Sequence, residues 1–137
     1  MTIKVAIISI GKSKKSHLEK WIDEYLQRLQ NEVVISFSFV KQLKPEQLQK
    51  KPYIALDIQG KILTSESFAT HFFQWSSKGE HTYVIGADTG LPPAILQGAI
   101  YKLSLSKMTF THQMARLILV EQIYRAVCNR QGGKYHK

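Results

Sequence analysis

Two stretches of this chain hold the side chains best suited to bind an anion or move a proton. In THQMARLILVEQIYR, residues 111–125, His112 and Arg116 stand four apart, and so do Glu121 and Arg125. On a helix that spacing places each pair on one face, and Glu121 ahead of Arg125 is the favourable order for an ion pair. Arg116 and Arg125 sit among Leu117, Ile118, Leu119, Val120 and Ile123. Burying them without partners would be costly, so they must reach a carboxylate, a phosphate or a second subunit. The other stretch is the terminal KYHK. Tyr135, His136 and Lys137 combine an aromatic face, an imidazole and a cation, a set that suits stacking on a base while holding phosphate. By composition alone, Gly132 and Gly133 before it fit a frayed terminus.

Other motifs are weaker. GKS at 11–13 lacks the glycine five positions earlier that a phosphate-binding P-loop needs, because Ala6 stands there. Lys12, Lys14 and Lys15 still make that stretch basic. IGADTG at 85–90 has two glycines where the dinucleotide pattern needs three. Gly86 could nonetheless leave backbone bare for a small ligand. There is no G-x-S-x-G elbow, and Cys128 is the single cysteine. Covalent nucleophilic hydrolysis and an intrachain disulfide therefore have no support. The five histidines are scattered, none paired at helical spacing, and no metal site is expected.

Elements must carry these residues into place. IKVAIISI (3–10), VVISFSFV (33–40), YIALDI (53–58), HTYVIGAD (81–88) and KLSLSKM (102–108) read as strands. Residues 15–30 form an amphipathic helix. The stretch 41–51 holds a short one with Pro45 in its first turn, and 64–79 a helix capped by Ser65 or Ser67. Another short helix precedes Tyr101, and the last helix runs from about Thr111 to Asn129. Gly60 is expected in a turn after the third strand. Alternating strands and helices imply an α/β fold, a mostly parallel sheet with helices on both faces. Ligands bind such sheets outside the carboxyl ends of the strands.

At 137 residues the chain makes one domain, residues 1–137. The apolar run at the start is followed by lysines instead of a cleavage site, and no run is long enough to span a bilayer. A cytoplasmic protein is expected, with no membrane partner. The net charge of +9 is concentrated at the two ends: nine basic against five acidic groups over 1–50, and five against one over 111–137. Such a balance favours polyanions. The final helix is apolar in nearly every direction, which suggests a homodimer interface.

Taken together, LD at 56–57 with Gly60, SESFA at 65–69, YVIGADTGL at 83–91, SLSKMTFTHQMARLILVEQIYRA at 104–126 and the terminal YHK occur in an order and spacing that resemble the RlmH (YbeA-like) family. These are small bacterial methyltransferases of the SPOUT superfamily, and the resemblance spans essentially the whole chain. It implies a Rossmann-like domain with a deep C-terminal trefoil knot, acting as a homodimer. It implies methyl transfer from S-adenosyl-L-methionine to N3 of a pseudouridine in 23S rRNA within the assembled ribosome. The cofactor-binding residues it implies are Leu56, Gly86, Leu105, Ser106, Lys107, Met108, Thr109 and Phe110. The usual second glycine of the loop is Ala87 here, and the connection at 41–52 is short.

For that reaction N3 must lose a proton, and charge developing on the ring needs a donor or cation. His112, Arg116, Tyr135 and His136 are the catalytic candidates. His136 could be the base, because its ordinary pKa lies near neutrality. The tail of one subunit is expected to close over the pocket of the other. Lys12, Lys14, Lys15, Arg125, Arg130 and Lys137 are the candidates for rRNA phosphates. Two other readings stay open: a non-catalytic ribosome- or RNA-binding protein, and a SPOUT enzyme acting on tRNA.

Overall fold

The computed structural model describes residues 2–11, 17–48 and 51–130. Lys12, Lys14, Lys15, Tyr135, His136 and Lys137 lie outside the described residues, and so do the expectations placed on them.

Strand β1 (Ile3–Ile10) leads to helix α1 (Leu18–Leu29), strand β2 (Val33–Val40) and a single 3₁₀ turn (Pro45–Leu48). Then come β3 (Tyr53–Ile62), α2 (Ser65–Ser76), β4 (His81–Ile85), α3 (Pro93–Gly98), β5 (Tyr101–Ser104) and α4 (His112–Arg130). The strands form one sheet in the order β2-β1-β4-β3-β5, parallel at every pairing.

Alternation along the strands divides the core in two. Val5, Ile7, Ile54, Tyr83 and Ile85 face α1, α2 and α4, while Ile10, Tyr53 and Val84 face α3 and the 3₁₀ turn. The three long helices thus share one face, and the other carries only short elements. Helices were expected on both faces. The second face has them in reduced form, because Pro45 and Pro93 each open a single short turn.

Helix α4 lies between α1 and α2, above the sheet. Ala115, Leu119, Val120, Ile123, Ala126 and Val127 are buried beneath it. On one flank Tyr124 meets Tyr25 of α1, with ring centroids 5.4 Å apart. On the other, the Arg130 guanidinium lies 4.1 Å from the Phe73 ring of α2. Much of the helix's all-round apolarity therefore serves contacts within the chain. Only its outward stripe, where Met114 is exposed, faces away.

Strand β4 stops at Ile85, short of the expected 88, and α1 and α2 are shorter than the stretches read as helix; three further differences have local causes. Helix α2 is capped by Thr64, whose side chain accepts the N–H of Ser67 at 3.0 Å, in place of Ser65 or Ser67. Strand β5 stops at Ser104, although 102–108 alternates like a strand. The Ser104 hydroxyl donates to the Ser106 carbonyl at 2.9 Å, and the Ser106 hydroxyl accepts the Met108 N–H at 2.9 Å. These local bonds take backbone groups that a ladder would need. Strand β3 continues past Gly60 to Ile62, but with a shift: Leu56 and Lys61 both align with Leu103. The segment Asp57 to Gly60 absorbs the offset. A Cβ at Gly60 would lie 2.6 Å from the Lys102 carbonyl oxygen, so only glycine fits there.

Candidate active site

The carboxyl ends of β3, β4 and β5 enclose a cleft of about 240 Å³ with the first turn of α4. Leu56 and the shifted segment Asp57–Ile58 form one wall. The loop from Gly86 to Leu91 forms a second, and Leu105 to Phe110 a third. His112 and Ala115 reach it from α4. The volume is just below the roughly 300 Å³ at which ligand clefts usually begin. A nucleoside-sized group can fill it, with any remainder of a larger ligand at the mouth. The rim is apolar and wet: Met108 is 74% exposed, Phe110 36% and Ile58 43%.

The Gly86 loop explains its own glycines. Gly90 has φ +87 and donates its N–H to the Ala87 carbonyl at 2.8 Å, closing a tight turn. A Cβ at Gly86 would lie 2.6 Å from the Gly90 carbonyl carbon. The space that Gly86 leaves is therefore taken by its own loop folding back, not held open for a ligand. Its role in the cleft is to let that loop double over. Ala87 is partly buried and packs against the second core, which gives its methyl a place.

Of the residues expected to touch a cofactor, Leu56, Gly86, Leu105, Ser106, Met108, Thr109 and Phe110 all line this cleft. Lys107 is exposed and is not part of the lining. His112 lines it too, and its Nε2 is buried with no hydrogen-bond partner among the described residues. The ring faces Gly11 at the end of β1, where a Cβ would lie 3.8 Å from its Cε1.

Arg116 is not brought to the cleft, which corrects its place among the catalytic candidates. It is 2% exposed and points under α1, where Nη2 pairs with the Glu19 carboxylate. Its guanidinium lies 4.8 Å from the Phe39 ring and 5.1 Å from that of Phe37. A carboxylate and two aromatic faces together offset the desolvation of the cation. The acidic partner that its apolar setting demanded is thus in the same chain. Arg125 pairs with Glu121 at 2.9 Å, as their spacing suggested. Arg130 is exposed and stacks on Phe73.

The sequence reading missed Asp57, Ile58, Asp88, Thr89 and Leu91, all of which line the cleft. Asp57 and Asp88 follow closely on Leu56 and Gly86, and that adjacency was the available signal. Among the described residues, no helix is long and apolar enough to cross a membrane. No group of three His, Cys, Asp or Glu among the described residues is placed to hold a metal ion.

Comparison with known proteins adds names to this geometry. A family model described as "Predicted SPOUT methyltransferase" matches residues 3–136. A protein of Desulfotalea psychrophila called ribosomal RNA large subunit methyltransferase H is 40% identical, over 98% of this chain and 100% of its own. One of the same name from Protochlamydia amoebophila is 43% identical, over 98% and 99%. Among solved structures, a probable methylase family protein from Haemophilus influenzae Rd KW20 aligns with TM-score 0.59 at 13% identity, covering 98% of this chain and 70% of that one. The TrmH/SpoU tRNA modifying enzyme of A. aeolicus aligns with TM-score 0.55 at 12% identity, covering 96% and 78%. These two likenesses are of fold.

Proposed function

This chain belongs to the SPOUT methyltransferase family, and on that premise we propose that it methylates a base of large-subunit ribosomal RNA, with S-adenosyl-L-methionine as donor. The finer form of the proposal is transfer to N3 of a pseudouridine in 23S rRNA on the assembled ribosome. The observation that carries it is the near full-length match to relatives named for large-subunit rRNA methylation. The cleft supports it independently, since seven of the eight residues that the resemblance assigned to the cofactor line one cavity.

The lining fits such a donor. Leu56, Leu103, Leu105 and Phe110 offer apolar walls for a base, and Ser106 and Thr109 offer polar atoms for its edges or for a ribose. When bound, the donor supplies a methyl group already activated on a sulfonium. The chain's part is then alignment and exclusion of water. His112 carries a buried Nε2 at the cleft, where it can hold or accept a proton. Tyr135 and His136 remain proposed for the same step. A trefoil knot around the Gly86 and Leu105 segments would brace the cleft without further covalent links.

A homodimer belongs to the same proposal. Met108 and Phe110 are exposed where they line the cleft, Met114 is exposed on the outward stripe of α4, and a second copy covering them would also exclude water. Basic residues elsewhere would meet RNA phosphates. The test is incubation with labelled donor and ribosomes from a strain lacking this gene, followed by mapping of the modified base. Label on N3 of one 23S rRNA pseudouridine is the expected result. Label on free tRNA but not on ribosomes would replace the substrate, and no label on either would favour the non-catalytic binding protein.

A further inference from the structure

The cleft differs in charge from the rest of the chain. The molecule carries 19 Lys and Arg against 10 Asp and Glu. Yet the described residues lining the cleft include Asp57 and Asp88 and no lysine or arginine. Neither carboxylate forms an ion pair among the described residues. They enter from two elements: Asp57 from the shifted segment midway along β3, and Asp88 from the turn after β4. Asp57 is held in place, because its Oδ1 accepts the Gln59 N–H at 3.3 Å. Gly60 in turn fixes that segment against Lys102. A basic protein that binds a polyanion gains nothing for that task from two carboxylates at its cleft. Their charge suits a cation instead.

We propose that Asp57 and Asp88 are specificity residues that make the cleft prefer the net-cationic methyl donor to its product, which carries no net charge. This rests on the methyl-transfer reading. The donor carries a sulfonium in addition to the paired ammonium and carboxylate of its amino-acid part. Transfer of the methyl group leaves the sulfur bonding pair on sulfur, and the product is a neutral thioether. The carboxylates attract the first and have no net charge to attract in the second. Turnover itself thus weakens the attraction and helps the product leave. The same carboxylates repel RNA phosphates from the donor's place, while the basic surface elsewhere attracts them.

The test is calorimetric binding of S-adenosylmethionine and of S-adenosylhomocysteine to the full chain, as wild type, Asp57→Asn, Asp88→Asn and the double variant. At position 57 asparagine keeps an oxygen that can accept the Gln59 N–H, so the charge is removed while that local bond can persist. Asp57→Asn is expected to lose about three- to tenfold in affinity for the donor, Asp88→Asn about two- to threefold because Asp88 is exposed and screened by solvent, and each about twofold or less for the product. The double variant should bring the two affinities closest together. In the wild type, the donor's advantage should shrink as salt rises from about 0.05 M to about 0.5 M. A donor-to-product ratio that stays the same in every variant overturns the inference and leaves methyl transfer standing. Equal loss of both compounds does the same, because it marks a structural role. A wild type that binds neither compound sinks the methyl-transfer reading, and this inference with it.

Discussion

The two ends of the sheet bury polar groups in opposite ways. At the amino end, His81 opens β4, 3% exposed, with Nε2 3.0 Å from the Tyr83 hydroxyl. The rings of Phe72, Trp75 and Tyr83 pack edge-on or tilted around it, and Tyr101 packs on Trp75. Burial there holds the imidazole neutral, with its pKa lowered to about 4. At the carboxyl end, glycine turns, exposed Met108 and unpaired carboxylates surround open space. One end spends its aromatic residues on being closed, and the other forgoes packing to stay open. On the proposed function, stability and ligand binding are set at opposite ends of one sheet, and changes at each should separate them.

The largest expected effect is at the closed end. Phe72→Ala removes a fully buried ring and should cost about 3–5 kcal/mol in urea unfolding. Donor affinity of the remaining folded protein should barely change; a parallel loss of binding would break the separation. Acid comes next. The folded His81 binds its proton less readily than the unfolded one, so stability rises with pH across the window between the two pKa values. Falling from about pH 6.5 toward pH 4 should remove about 3 kcal/mol from this group, and His81→Gln should flatten that part of the profile.

Arg116→Met sharpens the comparison at the level of a single side chain. Loss of the Glu19 pair and both ring contacts should cost about 1–3 kcal/mol. Donor binding should hold within about twofold, because Arg116 is not among the cleft's lining residues. A selective loss of binding or methylation would restore Arg116 to the site. The change that touches both quantities lies at the open end. Gly86→Ala meets the backbone of Gly90 at 2.6 Å and forces that turn outward, which should cost about 1–3 kcal/mol in stability while weakening donor affinity about tenfold.

Much of this was legible in the sequence. β-Branched runs gave β1 and β2 their observed bounds, and helical spacing placed α4 to within one residue at each end. The cleft was legible through the family resemblance, which assigned its cofactor residues to three short segments, two of them beginning where a strand ends. The rest depended on contacts distant in sequence. Nothing near Arg116 in the chain reveals Glu19, which stands 97 positions away. Gly86 reads as ligand space until Gly90 is seen folded over it. The shift at Asp57–Gly60 is invisible to alternation, because it is defined by Leu103 on another strand.

The reach from Arg116 back to Glu19 also sets a timetable. It joins the first helix to the last across almost the whole chain, the kind of long closure that slows folding. During synthesis this contact cannot form until the final helix has been made, and the same helix brings His112 to the cleft. A nascent chain lacking that last stretch has no finished place for a small molecule. Competence therefore arrives in one step, once α4 has been made.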